Sequence, residues 1–184
     1  MIKKRTKHGD LHFSIHHYLI HFTPQFKTFI NIPNTYTQVH IQCIFAVKYR
    51  KAQIKNNWKE KLHKYITGIV QNNKHKMIEI NSMPDHMHLF FGMRPHQSIS
   101  DLMEMVKGKS SLWINESNLT PSLFRWQEGY GAFSYSKSQI PNVANYIRNQ
   151  EAHHKKISFL DEYRQFLKKF GIEYDEKYIF RELE

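Results

Sequence analysis

The 184-residue chain has one cysteine, Cys43, so it can form no internal disulfide and build no thiolate zinc cluster. It has no uninterrupted apolar run near the ~20 residues that a membrane-spanning helix needs. Acidic residues are also scarce, 16 against 27 lysines and arginines, which leaves a formal net charge of +11 with histidine neutral. These shortages exclude a disulfide-stapled secreted module and a helical membrane protein. They point to a cytoplasmic protein of one domain whose partner is anionic, although charge alone does not choose among DNA, RNA and lipid.

Histidine is plentiful, with 13 in the chain, and two of them stand one residue apart in NSMPDHMHLFFGMR, residues 81–94. The apolar run Met87, Leu89, Phe90, Phe91 reads as a strand, and Met83-Pro84-Asp85 as the tight turn that feeds it. In a strand, residues i and i+2 leave the same face, roughly 6.5–7 Å apart. His86 and His88 are then close enough to hold one metal ion, with Met87 and Leu89 pointing the other way into a core. By itself a His-x-His pair is more often two half-exposed polar residues, so the rest of the chain must supply a third ligand.

Residues 1–33 differ in character, with a cationic start, five histidines and a Pro-bounded end. They are expected to be an N-terminal extension, poorly ordered or not native to the domain at 34–184. From Thr35 to Lys48 the sequence alternates Val39, Ile41, Cys43, Phe45, Val47 against Gln38, His40, Gln42, Ile44, Ala46, a strand with one clearly buried face. Residues 49–73 carry Trp58, Leu62, Ile66, Ile69 and Val70 at helical spacing. A short strand at 75–82 pairs as a hairpin with the His86 strand. Residues 98–116 form a second helix capped by Ser98 or Ser100, with Gly108 as an interruption, and 123–135 read as a bulged strand. That order predicts an α+β fold of the ferredoxin-like or RRM-like split β-α-β type: an antiparallel sheet with both helices on one face and the opposite face free for a ligand. A helix over 136–154, another over 158–170 and an aromatic tail follow.

On the 136–154 helix Tyr146 and Gln150 are four apart and share a face. Tyrosine is a candidate nucleophile toward phosphorus, since a phosphotyrosine bond keeps the energy of the phosphodiester it replaces. Glutamine offers a neutral carbonyl oxygen as a hard ligand. Periodicity alone equally permits Tyr146 as a core aromatic and Gln150 as a surface residue. Tyr135 is a rival nucleophile with no partner at ligand spacing.

Six segments in order, TYTQVHIQCIFAVKYR, MPDHMHLFF, KGKSSLWINE, FRWQEGYGAFSYSKS, NYIRNQEAHHKK and FLKKFGIEYDEKY, resemble the single-tyrosine HUH transposases of the insertion sequence 200/605 type, over about 150 residues of this chain. The resemblance implies that His86, His88 and Gln150 hold a divalent metal, Mg²⁺ or Mn²⁺, and that Tyr146 is the catalytic nucleophile. It implies cleavage and rejoining of single-stranded DNA at hairpin-bearing transposon ends through a 5'-phosphotyrosine, by a homodimer. Residues 1–33 have no counterpart in that family. Lys107, Lys109, Arg148, Lys155 and Lys156 are the expected phosphate contacts, with His153 and His154 as further contributors. A phenol ordinarily titrates near 10, so the site must help Tyr146 lose its proton, and no base is identifiable in the sequence. Two other readings remain: a non-catalytic single-stranded nucleic-acid-binding module that uses the open sheet face, and a domesticated repeat-associated tyrosine transposase.

Overall fold

A computed structural model describes residues 36–179; the expected extension at 1–33 lies outside the described residues. The elements run β1 (Val39–Ala46), α1 (Asn56–Asn72), β2 (Lys76–Ser82), β3 (His86–Met93), α2 (Ile99–Glu116), β4 (Gly131–Tyr135), α3 (Ile140–Arg148), α4 (Gln150–His154) and α5 (Phe159–Lys169). The four strands form one antiparallel sheet in the order β2-β3-β1-β4. This is the expected split β-α-β arrangement.

The alternation along β1 and β3 sorts side chains onto two faces. Ile41, Cys43, Phe45, Met87, Leu89 and Phe91 meet α1 and α2 in one apolar layer. Ile44, Ala46, Phe90 and Phe133 face the other way. That second face was expected to be open, and here the expectation is corrected: α3 and α5 cover it with Val143, Ile147, Phe159, Phe166 and Leu167. The physical reason lies in β1, where Cys43 through Val47 are all fully buried, too apolar on both sides to leave one face in water.

Helix ends follow local chemistry. The Ser98 hydroxyl accepts from the Asp101 amide to start α2, and Ser158 does the same for Asp161 at the start of α5. Gly108 lies within an unbroken α2. The expected single helix over 136–154 is divided: α3 ends at Arg148, Asn149 leaves helical geometry (φ −95°, ψ 20°), and α4 resumes at Gln150. The expected strand 123–135 is shortened to 131–135, because Gly129 takes a left-handed φ of 75° and lifts the preceding residues off the ladder; Trp126 keeps an isolated bridge to Val47.

Two measurements check this packing. A Cβ added at Gly131 would lie 2.8 Å from the Tyr163 ring and 3.0 Å from Phe133, so Gly131→Ala is expected to cost about 1–3 kcal/mol in chemical denaturation, the usual penalty for overpacking. Burial holds the His63 imidazole down to about 4, against an opposing pull from Glu60. The unfolded chain therefore binds a proton that the folded one refuses between about pH 6.5 and 4. Stability is expected to fall as pH is lowered through that window, and less steeply in His63→Gln.

Candidate functional site

The pairing of β3 between β1 and β2 fixes which way its histidines point. His86 and His88 share the parity of Phe90 and so face the layer of α3, α4 and α5. His86 is 1% exposed and His88 is fully buried. Four groups arrive from the helices above: Tyr146 on α3, Gln150 and His154 on α4, and Glu162 on α5. Glu162 is 2% exposed and is the centre of the group. Its Oε1 accepts hydrogen bonds from the Tyr146 hydroxyl and from Gln150 Nε2 at 3.1 Å. Its Oε2 lies 3.3 Å from His154 Nε2 and 3.5 Å from His88 Nε2, and its Oε1 is 3.5 Å from His153 Nε2.

The hydrogen-bond accounting of this cluster does not close on protein atoms. His86 Nδ1 donates to Asp85 Oδ1 at 2.7 Å, and His154 Nδ1 donates to the Ile157 carbonyl at 3.1 Å. In neutral rings both Nε2 atoms are then bare lone pairs, yet they face each other at 3.0 Å. Burial holds His86 down to about 3, with the Asp85 carboxylate opposing, and it lowers His154 as well, so the rings stay neutral near pH 7. His88 Nε2, Gln150 Oε1 and Glu162 Oε2 are buried without a hydrogen-bond partner. Ligand atoms of His86, His88, His154 and Glu162 all lie within 4.8 Å of one another. A divalent cation fits the chemistry of this set: His86, His88, His154 and Glu162 would hold it, and it would satisfy the facing lone pairs and the orphaned atoms together. Gln42 Nε2 lies 3.0 Å from His88 Nδ1, and Gln42 Oε1 accepts from Tyr135 at 2.8 Å. Turning that amide over lets Nδ1 donate to Oε1 and frees Nε2 of His88 for a metal.

Outer contacts hold the His86 ring still. Arg50 donates to Asp85 Oδ2 from Nε at 3.1 Å and from Nη2 at 2.8 Å. Burial would raise the Asp85 carboxyl, but His86 and Arg50 outweigh it and bring it down to about 2. Phe159 stacks on the His86 ring at 4.0 Å between centroids, with the Arg50 guanidinium 5.3 Å from Phe159.

The structure thus brings His86, His88, Gln150 and Tyr146 to one place. Gln150 faces Glu162 through its amide nitrogen. The expected phosphate contacts are dispersed. Lys107 donates to the Gly129 carbonyl at 2.8 Å, and with exposed Lys109 it sits on α2, across the sheet from the histidine pair. Arg148 pairs with Glu79. Lys155 and Lys156 are exposed, and Lys155 with Arg148 borders a groove of about 880 Å³ against α1. Tyr135, the rival nucleophile, is buried against Gln42, and burial pushes its phenol far up.

Sequence reasoning missed Glu162 altogether and gave His154 only a phosphate role. A signal for Glu162 existed. It stands three residues after Phe159 and four before Phe166, so a carboxylate sits on the apolar stripe of α5.

A family model described as "Transposase IS200 like" matches residues 35–150. The chain is 26% identical over 118 residues to the ISDra2 transposase TnpA of Deinococcus radiodurans, covering 61% of this chain and 84% of that protein. It is 25% identical over 113 residues to the transposase for insertion sequence element IS200 of Salmonella typhimurium, covering 58% of this chain and 73% of that one. Two solved structures share the fold, each with a TM-score of 0.52. One is a candidate transposase of Deinococcus radiodurans R1, 23% identical, covering 64% of this chain and 95% of that one. The other is a REP-associated tyrosine transposase bound to a REP hairpin, 12% identical, covering 68% of this chain and 74% of that one.

Mn²⁺ or Zn²⁺ is expected to raise the unfolding temperature of the wild-type protein, with about 2.7 kcal/mol gained at a hundredfold excess over Kd. The gain should vanish in His86→Ala/His88→Ala. In Glu162→Gln, calorimetric titration should find metal affinity about 10–100-fold weaker, as for loss of a supporting or ligating group.

Proposed function

The chain belongs to the family of IS200-like transposases, and from that premise we propose that it cuts and rejoins single-stranded DNA at the ends of its mobile element, with Tyr146 as the nucleophile. The observation that carries this reading is the hydrogen bond from the Tyr146 hydroxyl to Glu162, inside the same buried cluster as His86 and His88. A phenol held by a carboxylate has a defined direction in which its proton can leave. Glu162 is the group that sequence reasoning could not supply.

In this reading the scissile phosphate enters beside Tyr146, which is half-buried and borders a cleft of about 370 Å³. Tyr146 passes its proton toward Glu162, and the phenolate oxygen attacks phosphorus. The bond to the 3' oxygen breaks, that oxygen takes up the proton passed to Glu162 and leaves as a 3'-OH, and the DNA remains joined to Tyr146 through its 5' phosphate. Attack by another strand's 3'-OH on the phosphotyrosine reverses the step and returns the proton to the phenol. One phosphoester replaces another throughout, so no nucleotide is consumed. A bound divalent cation supplies the charge that polarises a non-bridging phosphate oxygen. His86, His88 and Gln150 are proposed to hold it with Glu162 and His154 beside them. Between Mg²⁺ and Mn²⁺, an imidazole-rich donor set favours Mn²⁺, because Mg²⁺ prefers oxygen ligands and retained water.

A homodimer and a hairpin-bearing DNA end belong to the same proposal. The net charge of +11 supports an anionic partner. The described residues include no helix long and apolar enough to cross a membrane.

The test is a denaturing gel of the purified protein with labelled single-stranded DNA from the element ends and Mn²⁺ or Mg²⁺. A covalent band is expected that requires metal, is abolished in Tyr146→Phe, and is strongly reduced in Glu162→Gln. Binding of the DNA should persist in Tyr146→Phe. DNA bound without any adduct in the wild type would leave a binding module in place of an enzyme.

A further inference from the structure

Four non-glycine residues among those described have a positive φ, and two have a ready explanation. Lys74 and Asn118 follow the ends of α1 and α2, where a left-handed residue closes the helix: the His75 amide reaches the Val70 carbonyl and the Leu119 amide reaches that of Ile114. The other two, Tyr49 (φ 56°, ψ 24°) and Arg50 (φ 51°), are consecutive, lie in a single 3-10 turn after β1, and carry large side chains. Left-handed backbone at such residues is costly and persists only where the surroundings impose it. Here they do. The Arg50 amide bonds back to the Val47 carbonyl at 2.8 Å, the Lys48 amide to the Arg125 carbonyl at 2.8 Å, and the Arg50 side chain is clamped on Asp85.

The turn lifts Tyr49 out of the fold as a ridge, 44% exposed, between two surface grooves of about 460 and 370 Å³. Lys48 and Arg125 border both grooves, and Lys51 the smaller one. Lys48 Nζ sits 5.1 Å from the Tyr49 ring centroid. Tyr178, 78% exposed, stands at the far side of the larger groove, with Glu128 as the acidic group there. An aromatic ridge flanked by cations is the chemistry that takes unpaired bases by stacking and their phosphates by charge. Its position is also tied to the active centre, since Arg50 holds Asp85 and Asp85 holds His86.

We infer that Tyr49 is a stacking platform for an unpaired nucleotide of the DNA strand, with Lys48, Lys51 and Arg125 receiving the adjoining phosphates. The inference rests on the reading that the chain acts on single-stranded DNA, and it adds a strand-binding surface distinct from all five lysines and arginines expected from the sequence. The left-handed turn serves to present the ring.

The experiment is fluorescence anisotropy of a labelled single-stranded oligonucleotide of mixed sequence, without divalent metal so that no strand is cut. It compares wild type, Tyr49→Ala, Tyr49→Gly, Tyr49→Trp and Lys48→Ala/Arg125→Ala, each first checked for an unchanged unfolding temperature or, in Tyr49→Gly, a raised one. Tyr49→Ala and Tyr49→Gly are expected to weaken binding about 5–150-fold, the range for one stacked base, and Tyr49→Trp to hold or improve it. The paired cation variant should lower the slope of log affinity against log salt by about 0.7 per lost phosphate contact. A 2-aminopurine base in the oligonucleotide should be quenched by wild type and not by Tyr49→Ala. Unchanged affinity in Tyr49→Ala overturns the platform, and so does an equal Tyr49 dependence on blunt duplex DNA, whose bases are already stacked. If wild type forms the covalent adduct while Tyr49→Ala binds normally, the platform fails and the transposase chemistry stands. Tyr49-dependent binding without an adduct gives the reverse.

Discussion

A carboxylate taken out of water has to be compensated, and that requirement organises the second half of this molecule. Glu162 is 2% exposed and is surrounded by a phenol, an amide and three imidazoles contributed by β3, α3 and α4. No one of these elements reaches all the others by local structure. The carboxylate draws them together, and the cost of burying it is met only if its partners are charged, hydrogen-bonded or bridged by a cation. The helix that carries Glu162 also closes the sheet, through Phe159, Phe166 and Leu167. Apolar packing therefore sets the height of the helix above the strands, and the polar cluster sets what lies in the gap.

The two faces of the sheet divide the labour. Beneath, α1 and α2 pack on the apolar face formed by Ile41, Cys43, Phe45, Met87, Leu89 and Phe91. Above, the layer is mixed: Tyr146, Gln150, His88, His153 and His154 all meet Glu162 within it. Outer contacts extend that order away from the centre: Arg50 to Asp85 to His86 on one side, Tyr135 to Gln42 to His88 on the other. Each chain of hydrogen bonds ends on the Nδ1 atom of a histidine of the pair, so it fixes the ring's orientation and leaves Nε2 turned toward Glu162 or His154.

Much of this was legible in the sequence, and the part that was not has a physical cause. Period-two alternation in β1 and β3 gave the strands, their faces and the shared direction of His86 and His88. The spacing of Tyr146 and Gln150 placed both near one point even though the helix breaks between them at Asn149. The closed second face was less legible, because the amphipathic stripe of α5 says that it covers something without saying what. Glu162 and His154 lie beyond residue 150, where the family match ends, and Glu162 pairs with residues 8 to 74 positions away. The turn at Tyr49 and Arg50 is invisible for a different reason: no glycine or asparagine marks its left-handed residues, and contacts to the distant Arg125 and Asp85 help hold them there.

The strand that carries His86 and His88 is paired on both sides, residue by residue from His86↔Ala46 to Met93↔Val39 on one flank, and from Lys76↔Gly92 to Ser82↔Met87 on the other, where β2 bulges at Ile78. Such a strand cannot absorb a change in count. One residue gained or lost between Pro84 and His86 would turn Met87 and Leu89 up into the polar cluster and both imidazoles down into oil. The same ladder that gives the pair its geometry thus acts as a reading frame, closed to insertion and deletion at this stretch.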